Sequence, residues 1–153
     1  MRNRSLIIDS MQGKLLANVA NTTSANATNL VAGNTTKTLV VPQGSTSTTV
    51  KVATNVGGGN YFPMKTTITT ISASVLTAPT GTSIKINIKK GTSYATSTIQ
   101  TSITIPTGSK TGSSVMIISL NPNTDFVYYD VTQVGSPQSG VGLSVTYTYN
   151  TGY

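Results

Sequence analysis

The feature that most restricts the fold is an alternation near the C-terminal end. Val141, Leu143, Val145, Tyr147 and Tyr149 fall on one parity, while Gly142, Ser144, Thr146 and Thr148 fall on the other. Side chains of a strand point alternately to its two faces, so this period-2 pattern predicts a half-buried strand with one apolar face. The preceding stretch, Asp125–Val134, puts Val127, Tyr129 and Val131 on one face and Phe126, Tyr128, Asp130, Thr132 and Val134 on the other. Large side chains on both faces predict an inner strand, packed on both sides or lying in an interface. Gly, Ser and Pro fill the loop between the two, so Thr124–Tyr149 reads as a hairpin.

Composition points the same way. Only 8 % of the 153 residues are charged, against about 25 % in an average globular protein. Thr, Ser, Asn and Gly supply the polarity instead. Thr, Val and Ile favour pleated, half-buried surfaces, so extensive sheet is expected rather than disorder. Uncharged, β-prone strands are prone to pair edge to edge, a hazard that barrels, paired sandwiches or oligomers remove.

Along the chain, residues 1–59 differ from the rest. Leu6–Ile8 reads as a short strand. Ile8, Met11, Leu15, Leu16 and Val19 recur at helical spacing behind Asp9 or Ser10 as N-cap, which fits a short helix weakened by Gly13. Asn21–Thr38 is small and polar, and alone would not bury enough apolar surface to offset its ordering entropy. Thr38–Val41 and Thr48–Ala53 flank the turn Pro42-Gln43-Gly44 and fit a hairpin. Gly57-Gly58-Gly59 reads as a flexible joint, which puts a domain boundary between an extended N-terminal arm (1–59) and a β-sandwich (60–153).

From Tyr61 onward strands and turns alternate at about the 8–12-residue spacing of all-β sandwiches. In Thr66–Thr77, Ile71, Ala73 and Val75 share a face, but Ile68 breaks parity. Either a bulge re-aims the strand or both faces are partly covered. In Ser83–Lys89, Ile84, Ile86 and Ile88 point inward, with Lys85, Asn87 and Lys89 outward. Ile99, Ile103 and Ile105 are in phase in Ser97–Ile105. The expected fold is an all-β antiparallel sandwich, jelly-roll-like or Ig-like, preceded by the arm.

The tracts ISASVLTAPTGTSIKINIKKG (Ile71–Gly91), SITIPTG (Ser102–Gly108) and DFVYYDVTQVGSPQSGVGLSVTYTY (Asp125–Tyr149) resemble a small C-terminal β-sandwich module of tailed-bacteriophage virion proteins. The resemblance covers about Tyr61 to Tyr149 (an extent judged by domain-boundary reasoning), and Asp130–Ser136 is its most specific run. One departure is Asn123-Thr124-Asp125, where a Gly-Asp pair often precedes the penultimate strand. The resemblance implies a virion structural protein, made in the host cytoplasm, with major capsid protein or other virion proteins as partners. The resemblance does not fix the location; the polar N-terminal arm and the small size of the chain lead to the expectation of a capsid decoration or cement protein held by that arm, with a tail, neck or baseplate fibre component as the alternative. A homo-oligomer is expected, and a trimer suits either location.

The residue inventory speaks against an enzyme. His and Cys are absent, which removes the usual general base and the best nucleophile. The only side-chain carboxylates are Asp9, Asp125 and Asp130, and the last two differ in parity, so a regular strand aims them at opposite faces. No catalytic, cofactor-binding or metal-ligating residue is assigned, and no cofactor is expected. The formal charge of +7 comes from 10 basic and 3 acidic residues, but no basic run interleaves with aromatics, so no nucleic-acid partner is expected. No stretch is apolar for the length of a membrane span or a signal peptide, so no membrane partner is expected either. Tyr128, Tyr129, Tyr147, Tyr149 and Tyr153 could form a platform for sugar rings, as in a carbohydrate-binding adhesin. Core and cross-strand packing is the simpler role for them. Tyr61-Phe62-Pro63 is expected to seal the domain's edge.

Overall fold

The structure, a computed structural model, describes residues 36–152. The expected strand at Leu6–Ile8, the helix at Ile8–Val19 and Tyr153 lie outside the described residues. Eight strands follow in order: β1 (Thr36–Pro42), β2 (Ala53–Tyr61), β3 (Lys65–Ser74), β4 (Ile84–Gly91), β5 (Thr98–Ile105), β6 (Thr111–Leu120), β7 (Phe126–Gln133) and β8 (Ser144–Gly152). Among the described residues there is no helix.

The strands form two four-stranded sheets, β1-β8-β3-β6 and β2-β7-β4-β5. β2 pairs antiparallel with β7, β3 with β6 and β4 with β5, while β1 lies beside β8. The chain is thus one long hairpin, closed by β4 and β5 and folded over so that its partners alternate between sheets. That nesting is the jelly-roll arrangement, and it decides between the two sandwich types expected.

The core lies between the sheets, where period-2 alternation from each side meets. β4 contributes Ile84, Ile86 and Ile88, and β7 contributes Val127, Tyr129 and Val131. The facing sheet contributes Ile68, Ile71, Ile118, Leu120, Val145 and Tyr147, all buried. The parity break at Ile68 has a structural cause. The β3–β6 register shifts between Ile68 and Thr70, and buried positions change from Thr66 and Ile68 to Ile71 and Ala73.

Four expectations are corrected. Thr124–Tyr149 is not a hairpin, because β7 and β8 belong to different sheets. The backbone of the connecting segment bonds to other loops instead. Val50 and Gly142 donate to Gly140 and Thr48 carbonyls (3.0 and 2.8 Å), and Leu76 donates to Val141 (2.8 Å). β1 and β2 likewise do not pair with each other, so no hairpin surrounds Pro42-Gln43-Gly44. The boundary expected at Gly57–Gly59 falls inside β2, and Lys37–Tyr149 forms one compact unit. Gly57 and Gly59 are needed for close packing rather than for a joint, and Gly58 takes a left-handed backbone (φ 71°) with open space around it. A Cβ on Gly57 (φ 74°) would lie 2.5 Å from Val41 Cγ1, and one on Gly59 would lie 2.7 Å from Tyr128 Cε1.

The fourth correction concerns Ile99. Ile88 pairs with Thr101 but Lys89 pairs with Ile99, so β5 carries an extra residue at Gln100. A bulge reverses parity beyond it, which leaves Ile103 and Ile105 buried and Ile99 56 % exposed. Ile103→Ala is therefore expected to cost about 2–5 kcal/mol of stability, whereas Ile99→Ala should stay within roughly 0.5 kcal/mol. Urea unfolding of the two variants measures this difference; equal losses would return Ile99 to the core.

Candidate functional site

The outer face of β2-β7-β4-β5 gathers most of the reactive side chains. Phe126, Tyr128 and Asp130 share the outward parity of β7, and Lys89 stands outward on β4, opposite Tyr128. Tyr94 reaches them from the β4–β5 loop, where Ser97 Oγ and N donate to its carbonyl (2.7 and 3.2 Å). The rings form a row. Tyr61 is tilted on Phe126 (centroids 5.9 Å), Phe126 stacks on Tyr128 (6.2 Å) and Tyr128 meets Tyr94 edge-on (5.6 Å). Tyr128 is only 5 % exposed, whereas Tyr61 is 50 % exposed and offers a ring to solvent.

Asp130 closes the row. Its carboxylate accepts from the Tyr94 hydroxyl (2.9 Å) and the Asn55 backbone N–H (2.8 Å), and it pairs with Lys89 Nζ at 3.2 Å. Lys89 Nζ also lies 4.4 Å from the centre of the Tyr94 ring. Desolvation works against the Lys89 ammonium, but Asp130 and Tyr94 outweigh it and hold the amine above its ordinary pKa.

The second aspartate is engaged in the same way. Asp125 Oδ2 accepts from the Asn121 backbone N–H (2.8 Å) and side chain (3.0 Å), and lies 3.1 Å from Lys90 Nζ. Lys90 also donates to the Ser119 carbonyl of β6 at 2.6 Å. Lys89 and Lys90, adjacent and of opposite parity, thus each take one of two carboxylates of opposite parity. They do not present a basic pair. Among the described residues, no three of His, Cys, Asp and Glu come together as metal ligands would.

The five-tyrosine platform is not assembled. Tyr129 and Tyr147 are buried in the core, and Tyr129 OH donates to the Val41 carbonyl (3.2 Å). Burial pushes both phenols up. Tyr149 packs edge-on against buried Phe62 (4.9 Å), whereas Tyr61 and Pro63, expected to seal the domain's edge together with Phe62, are exposed. Phe126 and Tyr94 are the ring contributors that the sequence reading missed. Phe126 had a signal in sharing parity with Tyr128, while Tyr94 sits in a loop with no periodicity to mark it.

The other outward face, on β1-β8-β3-β6, is chemically plain. Ser72 and Ser74 of β3 and Ser144, Thr146 and Thr148 of β8 take its outward positions, beside exposed Val115 and Ile117 of β6.

Burial raises the pKa of Asp125, but the Asn121 N–H, Lys90 and the Asn121 side chain outweigh it, and the net shift is downward. A depressed folded-state pKa adds stability above the unfolded value, near pH 4, that is lost as pH falls through the folded value. Unfolding free energy measured from pH 6 down to about pH 2 should therefore decline below roughly pH 4, and Asp125→Asn should flatten part of that decline. An unchanged slope in the variant would remove Asp125 from the acid response.

No protein-family model matches the chain, and no curated protein matches it. Several solved structures are similar in fold. The globular domain of the zebrafish complement 1qA protein is 14 % identical, with 78 % of this chain and 98 % of that one covered and a TM-score of 0.47. Murine APRIL is 9 % identical, with 72 % and 99 % covered and a TM-score of 0.40. Eiger TNF from S. frugiperda is 6 % identical, with 73 % and 92 % covered and a TM-score of 0.35. At this distance the likenesses say nothing of what the chain binds or does.

Proposed function

We propose that the protein is a non-enzymatic bacteriophage virion protein that decorates or cements the capsid surface as a homo-oligomer. The reading rests on the resemblance carried by Ile71–Gly91, Ser102–Gly108 and Asp125–Tyr149. One structural observation supports its architectural character: both described aspartates are engaged by lysines and backbone N–H groups within the sandwich. A carboxylate held in this way braces strands and is poorly placed to exchange protons with a substrate.

In this role the sandwich stands outward and the residues before it attach to capsid subunits. β1 and β2 belong to the sandwich, so the attaching segment ends before Thr36. Deletion of residues 1–35 is expected to abolish binding to purified particles while the far-UV circular dichroism of the sandwich is kept. Normal incorporation of the folded truncated protein would overturn the reading. Copy number per particle separates a shell protein from a tail, neck or baseplate component, since a shell takes many more copies.

A carbohydrate-binding adhesin is the second reading, favoured by Tyr61, half exposed at the open end of the aromatic row. On a glycan array this reading expects saccharide binding that Tyr61→Ala weakens about tenfold or more, as stacking on one ring warrants. Flat binding curves for the intact chain would set it aside.

A further inference from the structure

Where the β1–β2 connection runs into β2, the chain encloses a cleft of about 300 Å³ whose walls include Gln43, Thr48, Thr49, Lys51, Val52 and Thr54. Ligand pockets begin at about this volume, so the space suits a small molecule. Its walls are fixed by hydrogen bonds. The Gln43 side chain meets the backbone of Lys51 at two points: Nε2 donates to the Lys51 carbonyl (2.6 Å), and Oε1 accepts from the Lys51 N–H (3.2 Å). The Gln43 N–H donates to the Leu143 carbonyl and the Val50 N–H to the Gly140 carbonyl, both at 3.0 Å. The connection is thus tied to the segment before β8 at both of its ends, and the cleft is formed before anything enters it.

The walls say what chemistry fits. Lys51 is exposed and is the only charged residue among them. Asp125 and Asp130 are taken by Lys90 and Lys89, so neither neutralises it. A concave site with one cation and no carboxylate in its walls favours an anion. Thr48, Thr49 and Thr54 add hydroxyls, which both donate and accept hydrogen bonds. Val52, 62 % exposed, adds an apolar surface. One negative charge, several hydroxyls and a modest apolar face come together on a small molecule in a sugar acid.

We propose that this cleft binds a small hydroxylated carboxylate of the hexuronic-acid class, with the carboxylate on Lys51 and the hydroxyls among the threonines. The Gln43 clamp makes it a positioning residue, because it holds the backbone from which Lys51 extends. The inference goes beyond the virion reading and does not depend on attachment to a particle. It is also separate from the aromatic row. Ala53 pairs with Val131 but Tyr61 with Phe126, so the cleft and Tyr61 lie at opposite ends of β2.

Titration of the isotope-labelled full-length chain with D-glucuronate, followed by amide chemical shifts, tests it, with D-glucose as the uncharged counterpart. Glucuronate should give saturable shifts centred on Thr48–Val56, with a dissociation constant on the order of 1 mM. Glucose should bind about tenfold more weakly or not at all, and Lys51→Gln should weaken glucuronate by a similar factor. Lys51→Arg keeps the charge and should keep most of the affinity. Lys85→Gln, which removes an exposed lysine from β4, and Tyr61→Ala should both bind as the wild type does. The Tyr61 variant keeps the outcome for this cleft distinct from that for the adhesin reading. Shifts that do not saturate, or that spread over the exposed lysines alike, overturn the inference. So does glucose binding equal to glucuronate, a Lys51→Gln chain that binds like the wild type, or an equal loss in Lys85→Gln. The backbone bonds of Lys51 do not use its side chain, so the variants should keep the wild-type far-UV spectrum. Should Lys51→Gln misfold, the glucose comparison and the place of the shifts decide the matter on the wild type.

Discussion

β7 is covered on both faces, and much of the structure follows from that. Val127, Tyr129 and Val131 enter the core, while Tyr128 and Asp130 on the reverse side are buried as well. A carboxylate on a strand so enclosed is costly unless it is paired and hydrogen-bonded. Lys89 from β4, Tyr94 from the β4–β5 loop and the Asn55 N–H from β2 meet that need, so one side chain ties three strands and a loop together. β2 can lie close over the ring of Tyr128 because Gly59 has no Cβ there.

The two outer faces therefore differ in kind. On the sheet containing β7, rings and ion pairs are turned towards one another and little is left over except Tyr61. On the sheet containing β6, hydroxyls and the aliphatic side chains of Val115 and Ile117 are outward and exposed.

Several elements were legible because they depend on parity alone. The inward isoleucines of Ser83–Lys89 and the inward Leu143, Val145 and Tyr147 are buried as the alternation requires. Ile68 announced an irregularity, and one occurs beside it. Ile99 misled because the extra residue at Gln100 leaves no mark in the alternation on either side of it. The Gly57–Gly59 run misled for a related reason. Glycine signals a missing side chain, but only the neighbours show whether that gives freedom or room for a ring.

The sequence by itself determined that the chain would form short strands, which residues most of those strands would bury, and that β7 would be enclosed on both sides. These are consequences of side-chain period and size, which are local. The assignment of β7 and β8 to different sheets, the nesting of β2 with β7 and β3 with β6, and the meeting of Tyr94 with Asp130 belonged to the tertiary structure alone. Pairing between strands far apart in sequence is set by how the two sheets bury each other, and no alternation within one strand records its partner.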